Sequence, residues 1–149
     1  MEKIAKVLEI LKEQGLDGIY ITKEANVKYI SGYPDELAYA VICPQGNYLI
    51  TDSRFTELAE QSCPDFEVVN WHNYDRSIPK ALESICVKAG IQKLGFEECF
   101  ITYDKYEEIH RRLSEHQIEM KGTRNIVEEL RYVKSCLLYT SDAADDLIG

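Results

Sequence analysis

Three histidines, five cysteines and a few acidic clusters are the side chains of this sequence that could do chemistry, and their spacing decides what they can do. His72, His110 and His116 are the histidines, and none belongs to a His-x-x-x-His or Glu-x-x-His pair. His110 and His116 lie six apart, which on a helix does not place them on one face, so the pattern does not build a metal site. Cys43, Cys63, Cys86, Cys99 and Cys136 form no Cys-x-x-Cys pair, and no Gly-x-Ser-x-Gly elbow is present. Isolated cysteines of this kind read as small buried hydrophobes rather than disulfides or nucleophiles. The eight glycines are scattered singly, so there is no phosphate-cradling loop.

Three polar stretches remain. In "TDSRF" (51–55), Asp52 or Ser53 reads as a helix cap, with Arg54 making a partner contact. "SGYPDELAYA" (31–40) is a polar, aromatic loop of the kind that carries ligand contacts, although a plain turn has the same composition. In "LGFEE" (94–98), strand alternation sends Glu97 and Glu98 to opposite faces, so they do not form an acid–base pair. The residues by themselves compose no complete active site.

Composition narrows the classes further. The 149-residue chain carries 17 basic and 26 acidic side chains, a net charge of −9, without a Lys/Arg stripe. Such a chain is not built to bind nucleic acid. Hydrophobic content of 45% and charged content of 29% are those of a globular domain, and no apolar run approaches a membrane span. Met1 leads straight into a charged amphipathic segment with no secretory signal plan, so the expected compartment is the cytoplasm.

The elements that must position these side chains follow from periodicity and punctuation. Ile4, Val7, Leu8 and Leu11 recur at helical spacing and Gly15 supplies a stop, predicting a helix over 2–14. A strand is expected at 18–22, a short helix at 24–30, and a hairpin of 38–43 and 48–51 around the "PQGN" turn. Next come a helix at 53–62, a strand at 66–70, and a helix capped by Asp75 or Ser77, with Pro79 in its first turn and Gly90 at its end. A strand at 93–98, a helix at 103–113, a strand at 117–120 and a helix at 125–134 complete the series. Alternation broken by one hairpin predicts one α/β domain with a mixed β-sheet and helices on both faces.

The ordered motifs "GLDGIYIT", "NVKYISGY", "LITDSRF" with "ELAE", "LGFE" with "TYDKYEEI", and "IVEELRYVKS" carry a resemblance. Over residues 1–135 the chain resembles the amino-terminal domain of the creatinase/prolidase/Xaa-Pro aminopeptidase family. The resemblance implies a mixed-sheet unit with ribonuclease H-like layering. It also implies a following peptidase domain that holds two divalent metals, manganese or cobalt, and cleaves the bond before proline. The family's metal ligands belong to that second domain, so the resemblance gives residues 1–135 no catalytic, metal or cofactor residue. It implies a homodimer in which the loop after "YISG" reaches the neighbouring subunit's substrate lip, a role that falls here on Tyr33, Asp35 and Glu36. A stand-alone binding or assembly module of the same fold, or the corresponding domain of a creatine amidinohydrolase, would share the same motifs.

Residues 136–149, "CLLYTSDAADDLIG", depart from the family pattern after Ser135. They resemble the translation of a transposase adapter used in sequencing libraries, whose codons match Cys136 to Asp145 in one frame. On that reading the domain ends at about 135, the tail is non-native, and a peptidase domain has been cut away. Cys136 and the three tail aspartates then belong to no cysteine or charge argument.

Overall fold

A computed structural model describes residues 2–35 and 37–132 of the chain. Its elements run in the order α1 (Glu2–Glu13), β1 (Gly18–Ile21), α2 (Glu24–Ser31), β2 (Tyr39–Cys43), β3 (Gly46–Thr51), α3 (Thr56–Ser62) and β4 (Glu67–Asn70). A 3₁₀ turn (Trp71–Asn73) leads to α4 (Ile78–Ala89) and β5 (Lys93–Glu97). A second 3₁₀ turn (Glu98–Phe100) leads to α5 (Tyr103–Ser114) and β6 (Glu119–Thr123). Residues 126–132 are again helical.

The six strands form one mixed sheet in the order β4-β3-β2-β1-β5-β6. Strand β2 is antiparallel to both neighbours, while β1–β5, β5–β6 and β3–β4 pair in parallel. The reversal comes from the tight turn at Pro44-Gln45, which brings Cys43 opposite Gly46. The parallel pairs require longer crossovers, and helices supply them.

Alternation along the strands feeds two cores. Ile19, Ile21, Ala40, Ile42 and Leu49 face Val7 and Leu11 of α1, Val27 and Ile30 of α2, Ala59 of α3, and Ile126 and Val127. Tyr20, Val41, Cys43, Tyr48, Ile50 and Leu94 face Leu82, Ile85 and Cys86 of α4 and Ile109 and Leu113 of α5. Helices therefore cover both faces of the sheet, as the alternation of elements predicts.

Several boundaries differ from expectation, each for a local reason. Helix α3 starts at Thr56 because the Asp52 carboxylate first accepts the Arg54 N–H (2.9 Å) and holds 52–55 in a turn. Gln117 adopts a left-handed φ of 58°, which prolongs the turn after α5 and delays β6 to Glu119. Strand β5 ends at Glu97, where the chain tightens into the 3₁₀ turn. Ser77 caps α4 by accepting the Lys80 N–H (3.2 Å), while Asp75 pairs with the Lys80 ammonium. Cys43, Cys63 and Cys86 are buried as free thiols, but Cys99 is exposed; Cys136 lies outside the described residues.

Candidate functional site

Because five strands run one way, their carboxyl ends gather at one end of the sheet, together with the 32–38 loop that enters β2. In open α/β sheets this end is where ligand contacts concentrate. It holds nearly every polar stretch that the sequence singles out, in two clusters.

The first cluster lies beyond β3 and β4. Asp52 is buried, and its carboxylate takes the Arg54 side chain (Nη2 to Oδ2, 2.8 Å) as well as the Arg54 N–H. That hydrogen bond holds the Asp52 pKa below the ordinary aspartate range, against the opposing effect of burial. Asn70 Nδ2 donates to Ser53 Oγ at 3.0 Å, and Ser53 Oγ lies 3.0 Å from His72 Nδ1. The Asn70 side chain also accepts the His72 N–H. Among the described residues no carboxylate orients this hydroxyl–imidazole pair, and Asp52 is committed to Arg54. Its effect is to tie the end of β3 to the end of β4.

The loop carrying the proposed lip residues begins next to this cluster. Helix α2 stops at Gly32, whose φ of 80° is a left-handed conformation that glycine adopts without penalty. Ser31 Oγ donates to the Val27 carbonyl (2.6 Å) and accepts the Tyr33 N–H (3.1 Å), which fixes the exit direction. Tyr33 is thereby turned into the core. Its buried hydroxyl and that of Thr51 make no hydrogen bond of normal geometry. Burial raises the Tyr33 pKa, with the Thr51 hydroxyl close enough to oppose part of the rise. Asp35 is exposed, so the structure separates Tyr33 from Asp35 by environment; Glu36 lies outside the described residues.

The second cluster lies beyond β1 and β5, and nothing local in the sequence announces it. Glu97 Oε1 accepts the N–H groups of Thr22 (2.7 Å) and Lys23 (2.8 Å), and Oε2 accepts Asn26 Nδ2 (2.5 Å). Helix α2 has no capping side chain of its own, and the carboxylate from β5 stands at its N-terminus, accepting the N–H groups of the two residues that lead into it. Arg131 Nη1 donates to Asn26 Oδ1 at 2.9 Å, which joins the last helical residues to the same network. Glu98 pairs with Arg124 (2.9 Å), so the two adjacent glutamates part company as expected, although Glu98 already lies in the 3₁₀ turn and not in the strand.

Among the described residues no three His, Cys, Asp or Glu side chains converge to hold a metal ion. His116 pairs with Glu83 (2.7 Å), and His110 stacks on Tyr106 with ring centroids 5.4 Å apart. No described helix is long and apolar enough to cross a membrane.

Comparison with known proteins agrees with this geometry. The sequence model of the Creatinase/Prolidase N-terminal domain matches residues 3–133. The "Uncharacterized peptidase YqhT" of Bacillus subtilis is 31% identical over 133 residues, covering 89% of this chain and 36% of that protein. The solved Xaa-Pro dipeptidase from Bacillus anthracis superposes with a TM-score of 0.81 at 30% identity, covering 88% of this chain and 35% of that one. The N-terminal domain of cytoplasmic peptidase PepQ from Mycobacterium tuberculosis gives a TM-score of 0.78 at 27% identity, covering 87% of this chain and 98% of that one. The chain spans 35–36% of the length of the curated relatives it matches.

Proposed function

Because the chain belongs to the Creatinase/Prolidase N-terminal domain family, we propose that it serves as the non-catalytic domain of a metal-dependent Xaa-Pro peptidase. In this reading it works beside a carboxy-terminal domain that carries two divalent ions, manganese or cobalt, and cleaves the bond before proline. The match over residues 3–133 carries the proposal. In this reading no step of the reaction is assigned to this chain. The compartment that fits is the cytoplasm, where the PepQ relative is said to act.

The same reading gives the domain two tasks. One is to contribute to a homodimer. The other is to offer the 32–37 loop as a lip over the partner's substrate, with Tyr33 anchoring the loop in the core and Asp35 facing outward. Glu36 is the third residue of that lip by its position in the sequence.

Two measurements test the reading. The purified chain, given Mn²⁺ and an Xaa-Pro dipeptide, is expected to show no hydrolysis; metal-dependent turnover would sink the proposal. Residues 1–132 joined to the remainder of the B. anthracis dipeptidase are expected to restore cleavage. In that chimera Asp35→Ala should raise KM severalfold with little change in kcat, because the lip supplies binding rather than chemistry. An unchanged KM removes the lip role.

A further inference from the structure

Beside β1, at the carboxyl end of the sheet, lies a cavity of about 840 Å³ that shares only Thr22 with the clusters above. It is bounded by the ends of β1 and β2, the 71–79 segment and the 99–109 segment. The sheet has a switch point here, since the chain leaves β1 toward β2 on one side while it leaves β5 toward β6 on the other. Chains leaving such a point diverge, and small-molecule sites of about 300–1,000 Å³ form there.

The lining has two chemical halves. Tyr20, Tyr39, Trp71 and Phe100 place four aromatic side chains on it, and Phe100 is 52% exposed. Arg76 and Lys105 also line it, with Glu108 as the single carboxylate of the lining. The Asp75 carboxylate beside Arg76 is taken by Lys80, and neither Arg76 nor the Lys105 ammonium has an ion-pair partner among the described residues. A chain of net charge −9 thus turns two cations, unpaired among the described residues, and one anion toward an aromatic pocket.

The backbone carries a further mark. Asp75 and Arg76 are consecutive non-glycine residues with φ of 57° and 56°. Residues with a side chain reach that region at a cost, and such strain concentrates where a side chain must be aimed. Hydrogen bonds from Tyr74 N to the Trp71 carbonyl (3.1 Å) and from Ser77 N to the Tyr74 carbonyl (3.1 Å) hold the turn. The caps of α4 and α5 are internally satisfied, Ser77 by Lys80 N and Thr102 by Lys105 N, so the recognition rests on side chains.

We propose that this cavity binds a small molecule with an aromatic or aliphatic body and one carboxylate, the body against the Tyr20, Tyr39, Trp71 and Phe100 rings and the carboxylate against Arg76 and Lys105. Guanidinium and carboxylate match in shape as well as charge, which makes a carboxylate the favoured anion. The proposal is independent of the peptidase reading.

Trp71 is the sole tryptophan and lines the cavity, so it reports occupancy. The full chain is titrated with 3-phenylpropionate, 3-phenylpropanamide and acetate while Trp71 emission is followed. The phenylpropionate is expected to give a saturable change, with the amide and acetate each at least about fivefold weaker. The double variant Arg76→Gln/Lys105→Gln is expected to bind phenylpropionate about tenfold more weakly, close to the amide. Equal binding of acid and amide, equal binding of acetate, undiminished binding by a variant with wild-type circular dichroism, or no saturable change would each overturn the proposal. The comparison among the three ligands uses the unaltered protein, so it decides the matter even where the variant fails to fold.

Discussion

Replacing Glu97 perturbs the fold at the point where three segments distant in sequence meet. In Glu97→Ala the N–H groups of Thr22 and Lys23 and the amide of Asn26 lose their acceptor together. A buried donor left without a partner costs about 1–3 kcal/mol. Asn26 is fully buried and bears that cost in full. Thr22 and Lys23 are half-buried, so water recovers part of theirs. The expected loss is about 3–5 kcal/mol, a large share of the about 5–15 kcal/mol typical of a domain.

Glu97→Gln refines the test. Its carbonyl can still accept from Thr22 and Lys23, but its amide would face the Asn26 amide, donor against donor. Asn26 cannot turn over to relieve this without withdrawing the oxygen that accepts from Arg131. The expected cost is therefore intermediate, about 1–3 kcal/mol. Urea unfolding followed by Trp71 emission and circular dichroism reads both, with the alanine midpoint about 2 M lower at unchanged m. If both variants lose less than about 1 kcal/mol at unchanged m, the carboxylate is not what holds these segments, and the reasoning fails.

Two further outcomes follow from the structure. Arg54→Ala removes the guanidinium hydrogen bonds, the foremost cause of the lowered Asp52 pKa, and leaves the backbone N–H bond to the same carboxylate. A lowered carboxylate pKa stabilises the fold above the unfolded value, and that contribution is lost as pH falls through the folded value. The variant's deficit should therefore be greatest near neutrality and shrink below the ordinary aspartate range. Urea midpoints measured across the acid limb check this, and a deficit that grows on acidification contradicts it. Gly95→Ala would place a methyl 2.9 Å from Leu16 Cδ1 and 3.0 Å from Thr123 Cγ2 in the middle of the sheet. Such overpacking is expected to cost about 1–3 kcal/mol by the same urea assay, and a neutral result would show that the β1–β5–β6 layer yields more easily than its packing indicates.

What could be read from the chain before its structure depends on the range of the interaction. Ile4, Val7 and Leu11 announce α1 by spacing, and all three are buried. Gly15, Gly32 and Gly90 end helices with φ of 72°, 80° and 71°, as residues without a Cβ do. Ser77 and Pro79 mark the start of α4. These signals lie within a turn of the structure they produce. Where side chains bond to nearby backbone the signal blurs, as when Asp52 holds Arg54 and shortens α3. The polar network is out of reach altogether. Glu97 finds Thr22 at a separation of 75 residues, and Arg131 finds Asn26 at 105. One sequence contains no term linking such pairs, because strand alternation gives the face of Glu97 without naming what waits on it. The cavity is hidden for a related reason. Gly or Asn would have advertised the left-handed turn that aims Arg76, whereas an Asp-Arg pair reads as ordinary surface charge. Chemistry placed by sheet order and by uncommon backbone is therefore the part that only the fold makes visible, and both the Glu97 network and the cavity at Arg76 are of that kind.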